Sequence, residues 1–421
     1  MMRKNLVLFG FAGLVSVVAA QMACSPVGRR GSGDCDVFSD PACDDTSSGA
    51  GGKGSGSSSS GGDGGDIIFP PPGTGGSAGG SMVCVTSADV DDDGDGTTEN
   101  QGDCNDCDPN VGPGAVEVLT DPNNPMAVPS DEDCNGAVDD VAKFCDDGLA
   151  LDDKDPIHGV NAVDICKVAT NNSWGIVEAR YVRANGAPTN PGNQAGLLNN
   201  FGANVMVRGG STMLALATGT ARLPGQANAC GSPSCPGAGA GTPPPGFPQD
   251  PPSCPVEKSI FDDVGLEVRL RAPTNATGYK FNFKFYSFEY PEWVCQTYND
   301  QFISLVTPAP MGSINGNISF DSQKNPVGVN IAFFDVCDGC PLGASEMQGT
   351  GFNQWNNAGG TGWLLSQAPI KGGDEFIIRW AIFDTGDGLY DSTTIVDNFQ
   401  WIANGGSVDV GTVVDPPPPP N

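Results

Sequence analysis

From Asp89 to Asp140 the chain is dense in carboxylates and studded with cysteine. Two stretches set the pattern: D-V-D-D-D-G-D-G at Asp89–Gly96 and D-E-D-C-N-G-A-V-D-D at Asp131–Asp140. Acidic side chains this close repel one another unless a hard cation lies between them. Ca²⁺ takes about six to eight oxygen ligands, often from alternate positions of a loop turned by glycine. Asp91, Asp93 and Asp95 before Gly96 have that form, and an overlapping frame uses Asp89, Asp91 and Asp93 before Gly94. Asp131, Asp133 and Asn135 before Gly136, followed by Asp139, repeat it; Asp103, Asp106 and Asp108 lie between, interleaved with Cys104 and Cys107. These residues are the candidate ligands, and Ca²⁺ is the expected cofactor. No frame carries glutamate at the twelfth position, so the loops are not EF-hands. Pro109, Gly112, Pro113 and Gly114 stand where a dockerin would begin a helix. The alternative reading is an acidic, solvated spacer held by disulfides.

Charge and composition narrow the function. Twenty Lys and Arg against 50 Asp and Glu leave a net charge of −30. Phosphate-rich nucleic acid requires the opposite sign, so it is excluded as a partner, as is charge-driven docking on an anionic membrane. Divalent cations are favoured. Gly and Pro, 60 and 35 of 421 residues, exceed a fifth of the chain, so part of it lies outside any packed core. His158 is the sole histidine, which removes His-rich zinc sites and leaves nucleophilic triads one residue to build on.

Fifteen cysteines in such a chain indicate an oxidising compartment. The odd one is Cys24. Arg3 and Lys4 precede an apolar run at Leu6–Ala20, short for a bilayer span, and small residues follow. Gln21-Met22-Ala23-Cys24 is similar to a bacterial lipobox, with Gln21 where leucine is usual. Lipidation of Cys24 leaves an even set of cysteines for pairing; cleavage after Ala20 is the alternative. Ser25, rather than aspartate, follows the cysteine, which points to an outer-membrane, cell-surface lipoprotein that meets the membrane only through this anchor.

Residues 1–23 thus read as a signal peptide and 24–82 as a Gly/Ser/Pro-rich disordered tether, in which Cys35 and Cys43 can close a small loop. A coil of that length reaches roughly 40 Å. Residues 83–147 form the Asp/Cys-rich metal-binding module, 148–415 a β-domain with a Gly/Pro-rich insertion at 226–255, and 416–421 a proline-rich tail. In Tyr279–Phe285 aromatics occupy every second position, the pattern of a half-buried strand. Trp174–Tyr181, Met213–Leu216, Leu266–Leu270, Phe302–Val306, Val329–Phe334, Phe376–Phe383 and Ile395–Ile402 read as further strands, and Pro156–Val168 as a helix. Short strands between Gly/Pro/Asn turns predict a mainly β protein with a β-sandwich or jelly-roll domain.

Two family resemblances follow from these motifs. The order D-x-D-x-D-G, D-C-N-D-C-D-P, P-G-A-V-E, D-x-D-C-N-G-x-x-D-D resembles the metal-binding motif of MopE-like secreted bacterial proteins and, more loosely, thrombospondin type 3 repeats. It departs from them at Cys107, where aspartate is usual, and in the long loop Asp121–Ser130. MopE-like proteins suggest copper, whereas hard oxygens without histidine favour Ca²⁺. The second rests on F-Y-S-F-E-Y-P-E-W at Phe285–Trp293, Y-N-D-Q-F at Tyr298–Phe302, T-G-T-A at Thr218–Ala221, and F-D-T-G-D-G-L-Y-D-S at Phe383–Ser392 with V-D-N-F at Val396–Phe399. These resemble the choice-of-anchor L domain over about 174–404. That resemblance implies a bacterial surface protein and no particular reaction.

Within the β-domain Asp384, Asp387, Asp391 and Asp397 are candidates for a second metal site or for plain turn chemistry. Glu289 and Glu292 read as turn or ion-binding carboxylates before an acid–base pair. Cys337-x-x-Cys340 reads as structural, with Cys295 as a candidate partner, and Trp355, Trp363 and Trp401 as core before a sugar-binding surface. The expectation is a non-enzymatic surface lipoprotein with a calcium-stabilised neck, binding an unknown surface or matrix ligand. The alternatives are a secreted carbohydrate-active enzyme using paired carboxylates, or a purely structural envelope protein.

Overall fold

The computed structural model describes residues 87–415, apart from 141, 142, 172, 332 and 356. The expected signal peptide, Cys24 anchor, tether and proline tail lie outside the described residues. The described residues fall in one unit, Gly75–Asn421.

Two antiparallel sheets face each other. One joins β1 (Gly175–Val182), β4 (Ile260–Arg271), β10 (Glu375–Thr385), β6 (Gln301–Thr307) and β7 (Val327–Gly328), in that order. The other runs β12 (Gly411–Val414), β9 (Leu364–Pro369), β5 (Ala276–Ser287), β11 (Ser392–Ala403), β3 (Met213–Ala217) and β2 (Ala195–Leu198), with β8 (Gly359–Gly360) on β5. Consecutive strands seldom pair, so the connections cross between sheets, as in a β-sandwich.

The aromatic stripe of β5 explains the core. Tyr279, Phe281, Phe283 and Phe285 are fully buried against the opposite sheet. Phe281 meets Trp380 edge-on at 5.5 Å, Phe283 lies 5.0 Å from Phe302, and Tyr279 stacks on Phe376 at 4.8 Å. Such contacts add about 0.5–1.5 kcal/mol beyond burial. Register on the other sheet is fixed by charge: Glu267 of β4 stands opposite Arg180 of β1 and Arg379 of β10, and bonds both.

Three local readings need correction. The strand at Tyr279–Phe285 is buried on both faces, not one. A second apolar layer of Phe201, Tyr286, Phe288 and Phe352 covers its outer side, and Lys284, fully buried, reaches Glu346. The helix begins at Pro156, with Asp155 accepting from the Ile157 N–H, but α1 ends at Asn161. Asp164 adopts φ +69° and Cys166 is tied to Cys145, so the chain turns away. Val329–Phe334 is not a strand. Val329, Ile331 and Phe334 are buried, yet the backbone turns, with Ile331 N–H bonding Gly328 C=O.

The acidic segment has one short 3₁₀ turn, Glu99–Gln101, and no strand among its described residues. Cys104–Cys134 crosslinks it. It is fastened to the sandwich through Asn275, which exchanges hydrogen bonds with Val116 N–H and C=O at 2.9 Å each, and through Trp174 Nε1, which donates to Ala115 C=O at 2.8 Å. In the insertion Cys230 pairs with Cys235, and Cys254 with Cys295. Cys337 therefore closes on Cys340 rather than on Cys295.

Candidate metal centres

Glycine turns shape the first acidic loop. Asp91 accepts from the N–H groups of Gly94 (2.6 Å) and Gly96 (3.0 Å), both in positive-φ conformations that glycine adopts without strain. Asp93 and Asp95 each accept from a main-chain N–H two residues on. Asp91 uses both oxygens in this way, whereas Asp93 and Asp95 accept these bonds at Oδ1 alone. Oxygens of Asp91, Asp93 and Asp95 lie within 4.8 Å of one another, as do those of Asp93, Asp103 and Asp106. Asp93 is thus common to two groups.

The second group is the more deeply placed. Asp103 and Asp106 are 5% and 3% exposed. Asp103 Oδ1 accepts from Asn105 N–H at 2.8 Å and Asp106 Oδ1 from Asp92 N–H at 3.1 Å. The remaining Oδ2 atoms of Asp93, Asp103 and Asp106 are buried and accept nothing. Burial, then the charges of Asp95, Asp93 and Asp106, pushes Asp103 up to about 6. Buried anionic oxygens without partners are expensive unless a cation or proton meets them. Three inward hard oxygens suit Ca²⁺ or another hard divalent ion.

A third group joins Glu117, Asp133 and Asp140. Glu117 Oε1 accepts from Asp133 N–H at 3.1 Å, while its buried Oε2 has no donor. Burial raises its pKa, helped by the charges of Glu132 and Asp133. Asp140 Oδ1 accepts from Asn135 Nδ2 at 3.1 Å.

Other sequence candidates serve turns. Asp131 accepts from Asn135 and Gly136 N–H, repeating the geometry of Asp91. Asn135 Oδ1 accepts from Ala137 N–H, Asp108 caps Asn110, Asp139 caps Thr120, and Asp89 holds Asn100. Among the described residues none of these five stands in a three-residue carboxylate group. Glu117 and Asp140 were missed. Glu117 stands in the P-G-A-V-E segment and Asp140 beside Asp139, so composition marked both regions without marking the ligands.

Of Asp384, Asp387, Asp391 and Asp397, the first three gather around Asp300 and the last stands apart. Asp384 and Asp391 are buried near Asp300 and Glu289. Asp300 N–H donates to Glu289 Oε2 at 3.2 Å, Thr385 N–H to Asp300 Oδ1 at 3.3 Å, and Ser392 Oγ to Asp300 Oδ2 at 2.6 Å. Burial, followed by neighbouring carboxylates, raises Glu289 and Asp384 well above their usual range. Asp391 is pushed up to about 8, mainly by burial. Asp387 lies partly exposed in the turn between β10 and β11, near enough for its charge to help raise Glu289 and Asp300. Asp397 sits elsewhere, beside Asp164. Glu289 is paired with Asp300 rather than with exposed Glu292.

Residues 266–398 match the family model of the choice-of-anchor L domain. The match covers β4 to most of β11, under half of the chain, and includes Glu289, Asp300, Asp384 and Asp391. It associates this β-rich chain with exported, surface-associated proteins and gives no support to an enzymatic reading. Among curated proteins and solved structures, nothing matches the chain. No helix among the described residues is long and apolar enough to cross a membrane.

A groove of about 680 Å³ runs where the acidic module meets the β-sandwich. Glu117, Asp133 and Asp140 line one side, with Trp174, Lys280, Gln400 and Trp401 on the other. Trp401 is only partly exposed and packs edge-on against Trp174 at 6.2 Å. Trp363 lies beneath the Arg208 guanidinium, and Trp355 is 43% exposed. His158 Nδ1 lies 2.7 Å from Asp153 Oδ2, on the helix and away from these carboxylates in sequence.

Proposed function

We propose that this protein is a surface lipoprotein, anchored through Cys24 at the outer membrane, whose acidic module binds Ca²⁺ and thereby holds a binding groove in shape. Support comes chiefly from the unpartnered, buried Oδ2 atoms of Asp93, Asp103 and Asp106. Ca²⁺ there joins stretches ten or more residues apart whose one regular element, among the described residues, is a short 3₁₀ turn. In this reading Asp384 and Asp391, together with Glu289 and Asp300, hold a second ion inside the sandwich.

The groove is where a ligand would dock. An ion on Glu117, Asp133 and Asp140 faces it with an exposed carboxylate, Asp140, at the rim. Paired hydroxyls of a glycan can complete such an oxygen shell, and its apolar ring face suits the partly exposed Trp401. The action is passive adhesion; the matched family supplies a surface setting and no reaction.

Binding of the exported, oxidised protein to a panel of cell-surface polysaccharides, with calcium and with chelator, tests this. Calcium-dependent retention that Asp140→Asn lowers at least tenfold is expected. Retention equal in chelator, or unaffected by Asp140→Asn, contradicts it.

A further inference from the structure

Asp146, Asp164 and Asp397 come from three parts of the chain: the residue after Cys145, the turn after α1, and strand β11. Asp146 and Asp397 are fully buried. Asp146 Oδ2 is well supplied, accepting from Ser211 N–H (2.7 Å), Thr212 N–H (2.5 Å) and Thr212 Oγ1 (2.9 Å). Its Oδ1 is buried and accepts nothing; neither does either oxygen of Asp164. Asp397 Oδ2 accepts from Arg208 N–H at 2.6 Å.

The surroundings are shaped around these oxygens. Gly209 and Gly210 form the facing wall. A Cβ on Gly209 would overlap Asp164 Oδ2, and one on Gly210 would stand 2.5 and 2.6 Å from the two Asp146 oxygens. Asp164 itself holds φ +69°, a left-handed conformation rare for a residue with a side chain. The Cys145–Cys166 disulfide brackets the group, since Asp146 follows one half-cystine and Asp164 precedes the other by two residues. A buried carboxylate whose oxygens lack donors needs a cation or a proton.

We propose that Asp146, Asp164 and Asp397 bind a calcium-type divalent cation that clasps the segment leaving the acidic module to strand β11. The available donors are hard oxygens, and both neighbouring sulfurs are locked in a disulfide, which selects Ca²⁺ over thiophilic metals. The three groups' oxygens do not all fall within the 4.8 Å that the module's carboxylates reach. The ion would close a gap held open by like charge. Burial, then the Asp146 charge, lifts Asp164 to about 7; burial, opposed by the Arg208 N–H bond and aided by the Asp164 charge, lifts Asp397 to about 8.

This clasp shares no residue with the module's groups, so it stands or falls separately from the proposed function. Calcium stoichiometry by equilibrium dialysis on the full, oxidised chain tests it, using native protein, the module variant Asp93→Asn/Asp103→Asn, and each of these with Asp164→Asn added. Asp164→Asn should remove one bound calcium from both backgrounds. In melts it should lower Tm in calcium but leave it level or raise it in chelator, where only repulsion is relieved. Unchanged stoichiometry, or a Tm raised equally with and without calcium, overturns the clasp. If Asp164→Asn does not fold, Asp397→Asn is read the same way, and absence of any residual calcium on the module variant overturns the proposal without either. Retention of all calcium by the module variant would count against the module alone.

Discussion

Asp93 and Asp103, ten residues apart in sequence, bring carboxylate oxygens within 4.8 Å of each other, and neither residue's buried Oδ2 accepts a hydrogen bond. Two anions in that arrangement destabilise the apo protein, and the proposed function has a cation relieve them. The stability of the whole acidic module follows from how that repulsion is relieved.

Asp103→Asn separates the two effects. In chelator the substitution removes a buried charge and should leave Tm unchanged or higher. In calcium it removes a ligand. At free calcium near 100 times Kd the native protein gains about 2.7 kcal/mol from one site, and the variant should forfeit most of it. Chemical denaturation in both conditions measures the crossover.

The buried carboxylates also set a pH dependence. Folding lifts Asp103 to about 6, Asp300 to about 7 and Asp391 to about 8, in each case chiefly by burial. Their unfolded values lie near 4, so between about pH 4 and 8 the folded state holds more protons than the unfolded one. Without metal, stability is greatest at the acid end and falls as pH rises through these values. Calcium should flatten or reverse this slope above pH 6. Melts from pH 4.5 to 8.5, with and without chelator, check the sign.

Lys284 and Glu346 form a buried pair in which the lysine is fully covered and the glutamate 29% exposed. Glu346→Gln strands the ammonium and should destabilise by up to about 3 kcal/mol, toward the lower end of the range for broken buried pairs because Glu346 is partly solvated. Lys284→Met should be near neutral or stabilising. Urea denaturation of both variants distinguishes an electrostatic role from packing.

The Cys104–Cys134 bond spans 30 residues. Replacing both with serine should cost about 3–4 kcal/mol on loop-entropy grounds, and the loss should be local. Limited proteolysis is expected to cut within 87–140 while leaving the sandwich intact, and more quickly in chelator than in calcium.

The sandwich was legible because its signals are periodic. Every second residue of β5 is aromatic, and β10 and β11 are rich in β-branched and aromatic side chains, so strand type and inward face follow directly. The outer layer over Lys284 was not legible, because Phe201 reaches it from a loop and Phe352 from a single 3₁₀ turn, neither of which has periodicity. In the acidic module the D-x-D-x-D-G loop named Asp91, Asp93 and Asp95. Spacing could not tell the inward Asp103 and Asp106 from the turn-capping Asp108, since all three accept or are placed to accept main-chain bonds. Sequence proximity groups Asp397 with Asp384 and Asp391, yet it lies on β11 beyond the turn and beside Asp164. Long-range convergence of this kind is a property of the sheet order.

Calcium titration of the full, oxidised protein, followed by thermal melting, tests the central claim most directly. The account predicts saturable binding and a rise in Tm that Asp93→Asn/Asp103→Asn substantially reduces. A Tm that is indifferent to calcium, or a rise that survives unchanged in that variant, would contradict it and leave the acidic module a spacer held by its disulfides.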